Sequence, residues 1–116
     1  MKLYTIVFSP TGGTQKVATS LTDTLEGEAI KVDLTDSKQN FRAVQLTQED
    51  VAVISVPSYG GRVPAVAVER LTMLSGQGAR AVLVCVYGNR DYEDTLVELE
   101  DAANQAGFRI IAAVAA

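Results

Sequence analysis

The sequence predicts a doubly wound α/β domain: a five-stranded parallel sheet in the order 2-1-3-4-5, with helices on its faces. Three observations predict it. Five short apolar, β-branched runs recur along the chain, helical patterns fall between them, and the loops after the first, third and fourth runs are polar and glycine-rich. Continuous rather than alternating apolarity marks parallel strands buried on both faces. Short right-handed crossovers then favour the order given, with a switch point between the first and third strands where ligands bind at the carboxyl ends. The 116 residues suffice for one core and not for two, so 1–116 reads as a single domain.

The first strand is "LYTIVF" (3–8). A helix follows over 14–25, with Val17, Ala18, Leu21 and Leu25 on one face. The second strand, "IKVDL" (30–34), alternates more and belongs nearer an edge. Residues 35–49 read as loop with a short helix. After the third strand, "VAVISV" (51–56), a helix is expected over 64–74, with Pro64 at its first position and Val68 and Leu71 inward. The fourth strand is "AVLVCV" (81–86). The helix over 92–106 presents Leu96, Val97, Leu99, Ala103 and Ala106 as its apolar side, with Asp91 capping its start and Gly107 ending it. "RIIAAV" (109–114) closes the sheet.

Composition excludes several chemistries. There is no histidine, so no Ser-His-Asp triad, Cys-His pair or imidazole metal site is available. A single cysteine, Cys85, forms no internal disulfide and ligates no cluster. "CVYGNR" sets Cys85 ahead of Arg90 one residue short of a phosphatase C-x5-R, and Cys85 falls inside a buried strand, where a thiolate is costly. Ten basic against fourteen acidic residues argue against nucleic acid and anionic membranes as partners. No stretch approaches the ~20 apolar residues of a membrane span, and the expected compartment is the cytoplasm.

The loop Ser9-Pro10-Thr11-Gly12-Gly13-Thr14 places hydroxyls and glycines where a strand hands over to a helix. A helix start offers free N–H groups and a favourable dipole to a phosphate, and the glycines allow close approach. A plain Ser/Thr cap on a glycine turn is the competing reading. Neither G-x-x-x-x-G-K-[ST] nor G-x-G-x-x-G is present after this strand.

S-P-T-G-G-T resembles the phosphate loop of the flavodoxin family, [ST]-x-T-G-x-T. "VPSYGG" after the third strand resembles that family's first ring-binding loop, and "VYGNRDY" after the fourth resembles its second, G-[DN]-x-x-Y. The similarity runs from Met1 to Val114. It implies noncovalent FMN, with Ser9, Thr11, Gly12, Gly13 and Thr14 on the phosphate. Pro57, Ser58, Tyr59, Gly60, Gly61 and Arg62 form the first ring loop, and Tyr87, Gly88, Asn89 and Tyr92 the second. Tyr92 matches the outer-face tyrosine and Tyr59 the inner-face position, although each also reads as a plain loop anchor. Gly60 matches the glycine whose carbonyl turns toward flavin N5 on reduction, which glycine tolerates cheaply.

Two residues depart from the pattern. Gly61-Arg62 stands where many flavodoxins carry an acid, and Arg90 lies inside the second loop. Fewer negative charges beside the ring make reduction easier, unless the arginines are simply solvated. The resemblance implies an electron carrier or redox domain rather than a stand-alone catalyst, with no catalytic or metal-binding side chain. Its partner is expected to be a redox protein, such as a fused or separate ferredoxin. The oligomeric state stays open. The alternative is a flavodoxin-fold binding or regulatory domain that holds no flavin. A phosphate-receiver module fits poorly, because Ser9-Pro10 and Pro57-Ser58 stand where its acids belong. The sequence ends at Ala116, where the family pattern continues into a fifth helix. The expectation is a domain truncated or excised before that helix, most similar in its loops to those fused ahead of bacterial ferredoxin domains.

Overall fold

A computed structural model describes residues 1–10, 29–59, 62–86 and 93–115. Five strands, β1 (Leu3–Val7), β2 (Ala29–Asp33), β3 (Val51–Pro57), β4 (Arg80–Val86) and β5 (Arg109–Ala115), form one sheet in the order β2-β1-β3-β4-β5. Every neighbouring pair is parallel, as predicted. Helix α1 (Ala65–Leu71) follows β3 and helix α2 (Glu93–Gln105) follows β4. The helix expected over 14–25 lies outside the described residues.

β1, β3 and β4 are apolar on both sides because both sides are covered. Ile6 pairs with Ile54, and Ile54 with Leu83, on the face carrying the larger core. Ala67 and Leu71 of α1 and Leu99 and Ala103 of α2 close over that face. Leu3, Val53 and Val84 form a smaller cluster on the other side. Thr5 and Ser55 add buried hydroxyls there with no hydrogen-bond partner among the described residues.

Several details differ from expectation. β5 carries an unbroken apolar run, yet Ile111 is 53% and Val114 42% exposed. It is an edge strand, and its ladder with β4 slips at Ala81/Val82. Pro64 is the cap of α1 rather than its first residue, its carbonyl accepting from Ala67 and Val68. The α-helix stops at Leu71 instead of Leu74, and turns complete the segment. On α2 the inward stripe is Thr95, Leu99, Ala102, Ala103 and Ala106, while Val97 is 58% exposed. Gly107 does end that helix. It sits at φ +91, and its N–H and that of Phe108 return to Asn104 and Ala103. The 35–49 segment holds one 3₁₀ turn, Phe41–Ala43, whose Phe41 lies under the Arg70 guanidinium at 5.7 Å.

At the amino ends of the strands, Asp50 ties three segments together. Its carboxylate accepts from the Lys2 N–H at 2.9 Å and the Thr47 N–H at 2.8 Å, and its carbonyl accepts from Arg80. Burial alone would raise this carboxyl, but the Thr47 and Lys2 N–H groups, the Thr47 hydroxyl and the amino terminus outweigh it and hold the pKa low. A depressed folded pKa gives stability that is complete above the unfolded value near 4 and lost as pH falls through the folded value. Wild type is therefore expected to lose stability relative to Asp50→Asn as pH drops below about 5, as urea midpoints measured from pH 7 to 3 will show. A constant difference across that range would contradict the assignment.

Candidate functional site

The crossover from β1 runs to β2 on one side, whereas that from β3 runs to β4 on the other. In open sheets of this kind such a reversal is a switch point, here between the chain ends leaving β1 and β3, and the crevice outside those ends is where ligands bind. The two ends stay in register up to this point, since Phe8 N–H still donates to the Ser55 carbonyl at 3.1 Å. Ser9 and Ser58 are among the first polar residues beyond it.

Ser9 is held from the β2 side. Its N–H donates to Thr35 Oγ1 at 2.7 Å, and Thr35 N–H donates to Asp33 Oδ1 at 2.9 Å. The Ser9 amide is thus committed to the protein, and the expected phosphate contacts fall on the residues after it. Those residues, Thr11, Gly12, Gly13 and Thr14, lie outside the described residues.

On the β3 side, buried Pro57 ends the strand, and Ser58 donates its N–H to the Val86 carbonyl at 2.9 Å. Ser58 Oγ lies 2.7 Å from Thr95 Oγ1 of α2. Tyr59 and Arg62 then exchange both backbone hydrogen bonds, at 3.0 and 3.1 Å, which closes a tight hairpin. Tyr59 is 48% exposed on that hairpin, a large aromatic kept at the surface beside the crevice. Arg62 is paired, with Nε 2.6 Å from Glu98 Oε1 and a second contact from Nη2 to Oε2 at 3.3 Å. Gly60 and Gly61, and the second ring loop with Tyr87, Gly88, Asn89, Arg90 and Tyr92, lie outside the described residues. The second loop's two roots are nonetheless placed: Val86 bonds Ser58, and Glu93 begins α2.

The expected residues that are described, Ser9, Pro57, Ser58, Tyr59 and Arg62, gather at adjacent strand ends. Sequence reasoning did not foresee that Thr35, Thr95 and Glu98 hold Ser9, Ser58 and Arg62. Thr95 carries the only sequence signal of the three, a hydroxyl inside the inward stripe of a helix.

Burial pushes the Cys85 thiol up, only partly offset by a hydrogen bond with Ser58. Among the described residues no cluster of His, Cys, Asp or Glu could hold a metal. A groove of about 330 Å³ lies between α1 and residues 37–42, and Arg70 in its lining is bonded to the Leu34 carbonyl.

Scans of the sequence against protein-family models and curated proteins find no match. Solved structures do match. The two-electron reduced flavodoxin of Megasphaera elsdenii superposes with TM-score 0.71 at 18% identity, over 97% of this chain and 84% of that one. The fold is flavodoxin-like. A Lactobacillus acidophilus flavoprotein in complex with FMN gives 0.70 at 8% identity, over 98% of this chain and 92% of that one. A Streptococcus pneumoniae flavodoxin gives 0.67 at 19%, over 97% and 83%. Among the described residues no helix is long and apolar enough to cross a membrane.

Proposed function

We propose that this chain binds FMN noncovalently and serves in electron transfer. The observation that carries the proposal is the Tyr59–Arg62 hairpin, which keeps an aromatic half-exposed at the β1/β3 crevice while two further glycine-rich loops root beside it. The residues fit the group: an aromatic face suits a flat ring, and the hydroxyl-rich loop after β1 suits a phosphate.

FMN, when bound, supplies the electron chemistry, and the protein supplies position and electrostatics. Tyr59 and Tyr92 are assigned to the two ring faces. Thr11 and Thr14 are assigned to the phosphate, with Ser9 anchoring the start of their loop to Thr35. Arg62 is balanced by Glu98, so it brings less positive charge to the ring than a lone guanidinium.

Titration of the ligand-free chain with FMN, followed by flavin fluorescence, tests this reading. Saturable quenching at one equivalent is expected, with weaker binding and weaker quenching in Tyr92→Ala. Absence of saturation would instead leave the flavin-free binding domain. Reduced, FMN-loaded protein should then pass electrons to a one-electron acceptor.

Glu100 and Asp101 are exposed on α2, beyond the Arg62–Glu98 pair. They are suited to steer a basic redox partner to the crevice. Transfer rates to a basic acceptor should fall at least several-fold between about 20 and 200 mM salt and flatten in Glu100→Gln/Asp101→Asn. A salt-independent rate would mean a merely solvated face.

A further inference from the structure

The two ring loops are not independent. Thr95 and Glu98 stand three residues apart on α2, hence on one side of it, and each takes a different residue of the first loop. Thr95 is fully buried, so its hydroxyl needs the partner that Ser58 Oγ provides. Glu98 receives the Arg62 guanidinium through two nitrogens. Because α2 starts at Glu93, directly after residues 87–92, whatever holds the first loop to α2 also sets its distance from the root of the second.

The hairpin geometry extends this to Tyr59. Residues that exchange both backbone bonds across an antiparallel pair project their side chains to the same side. Tyr59 and Arg62 are such a pair. Turning Arg62 toward Glu98 therefore also fixes the side to which Tyr59 projects.

We propose that Thr95 and Glu98 are positioning residues that lock the Tyr59–Arg62 hairpin onto α2 and so preset Tyr59 for a flat ring ligand. The ligand part rests on the FMN reading above, but the lock exists without ligand and is testable alone. A preset loop loses less conformational freedom on binding, so breaking either tie should weaken ring affinity without touching the phosphate contribution.

The test pairs amide hydrogen exchange of the ligand-free chain with titrations by FMN and riboflavin. Glu98→Gln should speed exchange at Tyr59 and Arg62 about threefold, and Thr95→Val about fivefold, with Ile54 unchanged. Each should weaken FMN and riboflavin by the same factor. Thr95→Ser, which keeps the hydroxyl, should retain wild-type exchange, and the charge swap Arg62→Glu/Glu98→Arg should restore it. Unchanged exchange at Tyr59 and Arg62, failure of both rescues, or a loss confined to FMN would each overturn the proposal. So would faster exchange with unchanged riboflavin affinity. If wild type binds neither ligand, the FMN reading and the ligand part fall together, while the exchange data alone uphold or overturn the lock.

Discussion

Thr11→Val and Thr14→Val should each lower FMN affinity about 10- to 100-fold and leave riboflavin affinity within about twofold. A phosphate dianion needs several converging donors, and a hydrogen bond to a charged group contributes about 1.5–3 kcal/mol. At about 1.4 kcal/mol per tenfold, one lost hydroxyl gives the range stated. Valine keeps the shape of threonine and removes only the donor. The Ser9 amide cannot substitute, because it is already bonded to Thr35 Oγ1. Riboflavin carries the same ring without the phosphate, so it reports any general loosening of the site. Equal losses for both ligands would mean that the loop after β1 supports the fold and does not bind phosphate.

Ile54→Ala should destabilise the domain by about 2–5 kcal/mol. Ile54 is fully buried at the centre of the sheet, paired with Ile6 on one side and Leu83 on the other, both also fully buried. Removing its side chain forfeits transfer energy and leaves a cavity that three tightly registered strands cannot collapse around. Urea unfolding should show a lower midpoint at an unchanged slope. Val97→Ala, at an exposed α2 position, should change stability by less than about 0.5 kcal/mol. If FMN binds, an excess of 100 times its Kd should return about 2.7 kcal/mol to the Ile54→Ala variant. An Ile54→Ala effect as small as that of Val97→Ala would contradict the placement of β3 at the core's centre.

The strand order was readable because burial on both faces writes itself as unbroken apolar runs, as in β3 and β4, while edge strand β2 alternates with exposed Lys31 and Asp33. The same signal does not cover β5, which the order 2-1-3-4-5 already places at an edge. Its Ile111 and Val114 report strand propensity, and propensity does not say how many faces are covered. The phase of α2 was misjudged for a related reason. Val97 looked inward by its apolarity, while Thr95 is inward because Ser58, 37 residues away, satisfies its hydroxyl. Ser58 and Tyr59 were legible as site candidates because hydroxyl, aromatic and glycine residues interrupt the chain right after a buried strand. Thr35 and Glu98 were not, since their partners lie 26 and 36 residues distant and no local pattern records such contacts.

The central claim is that three separate loops at the strand ends form one FMN site. Backbone amide NMR of the labelled chain, titrated with FMN, tests it most directly. The account predicts saturable shifts at Ser9 and the residues just after it, at Ser58 to Arg62, and at Tyr87 to Tyr92, all fitting one dissociation constant. Riboflavin should reproduce the shifts of the second and third groups and leave the first nearly still. Shifts centred on the groove beside Phe41 and Arg70, or none at all, would contradict it.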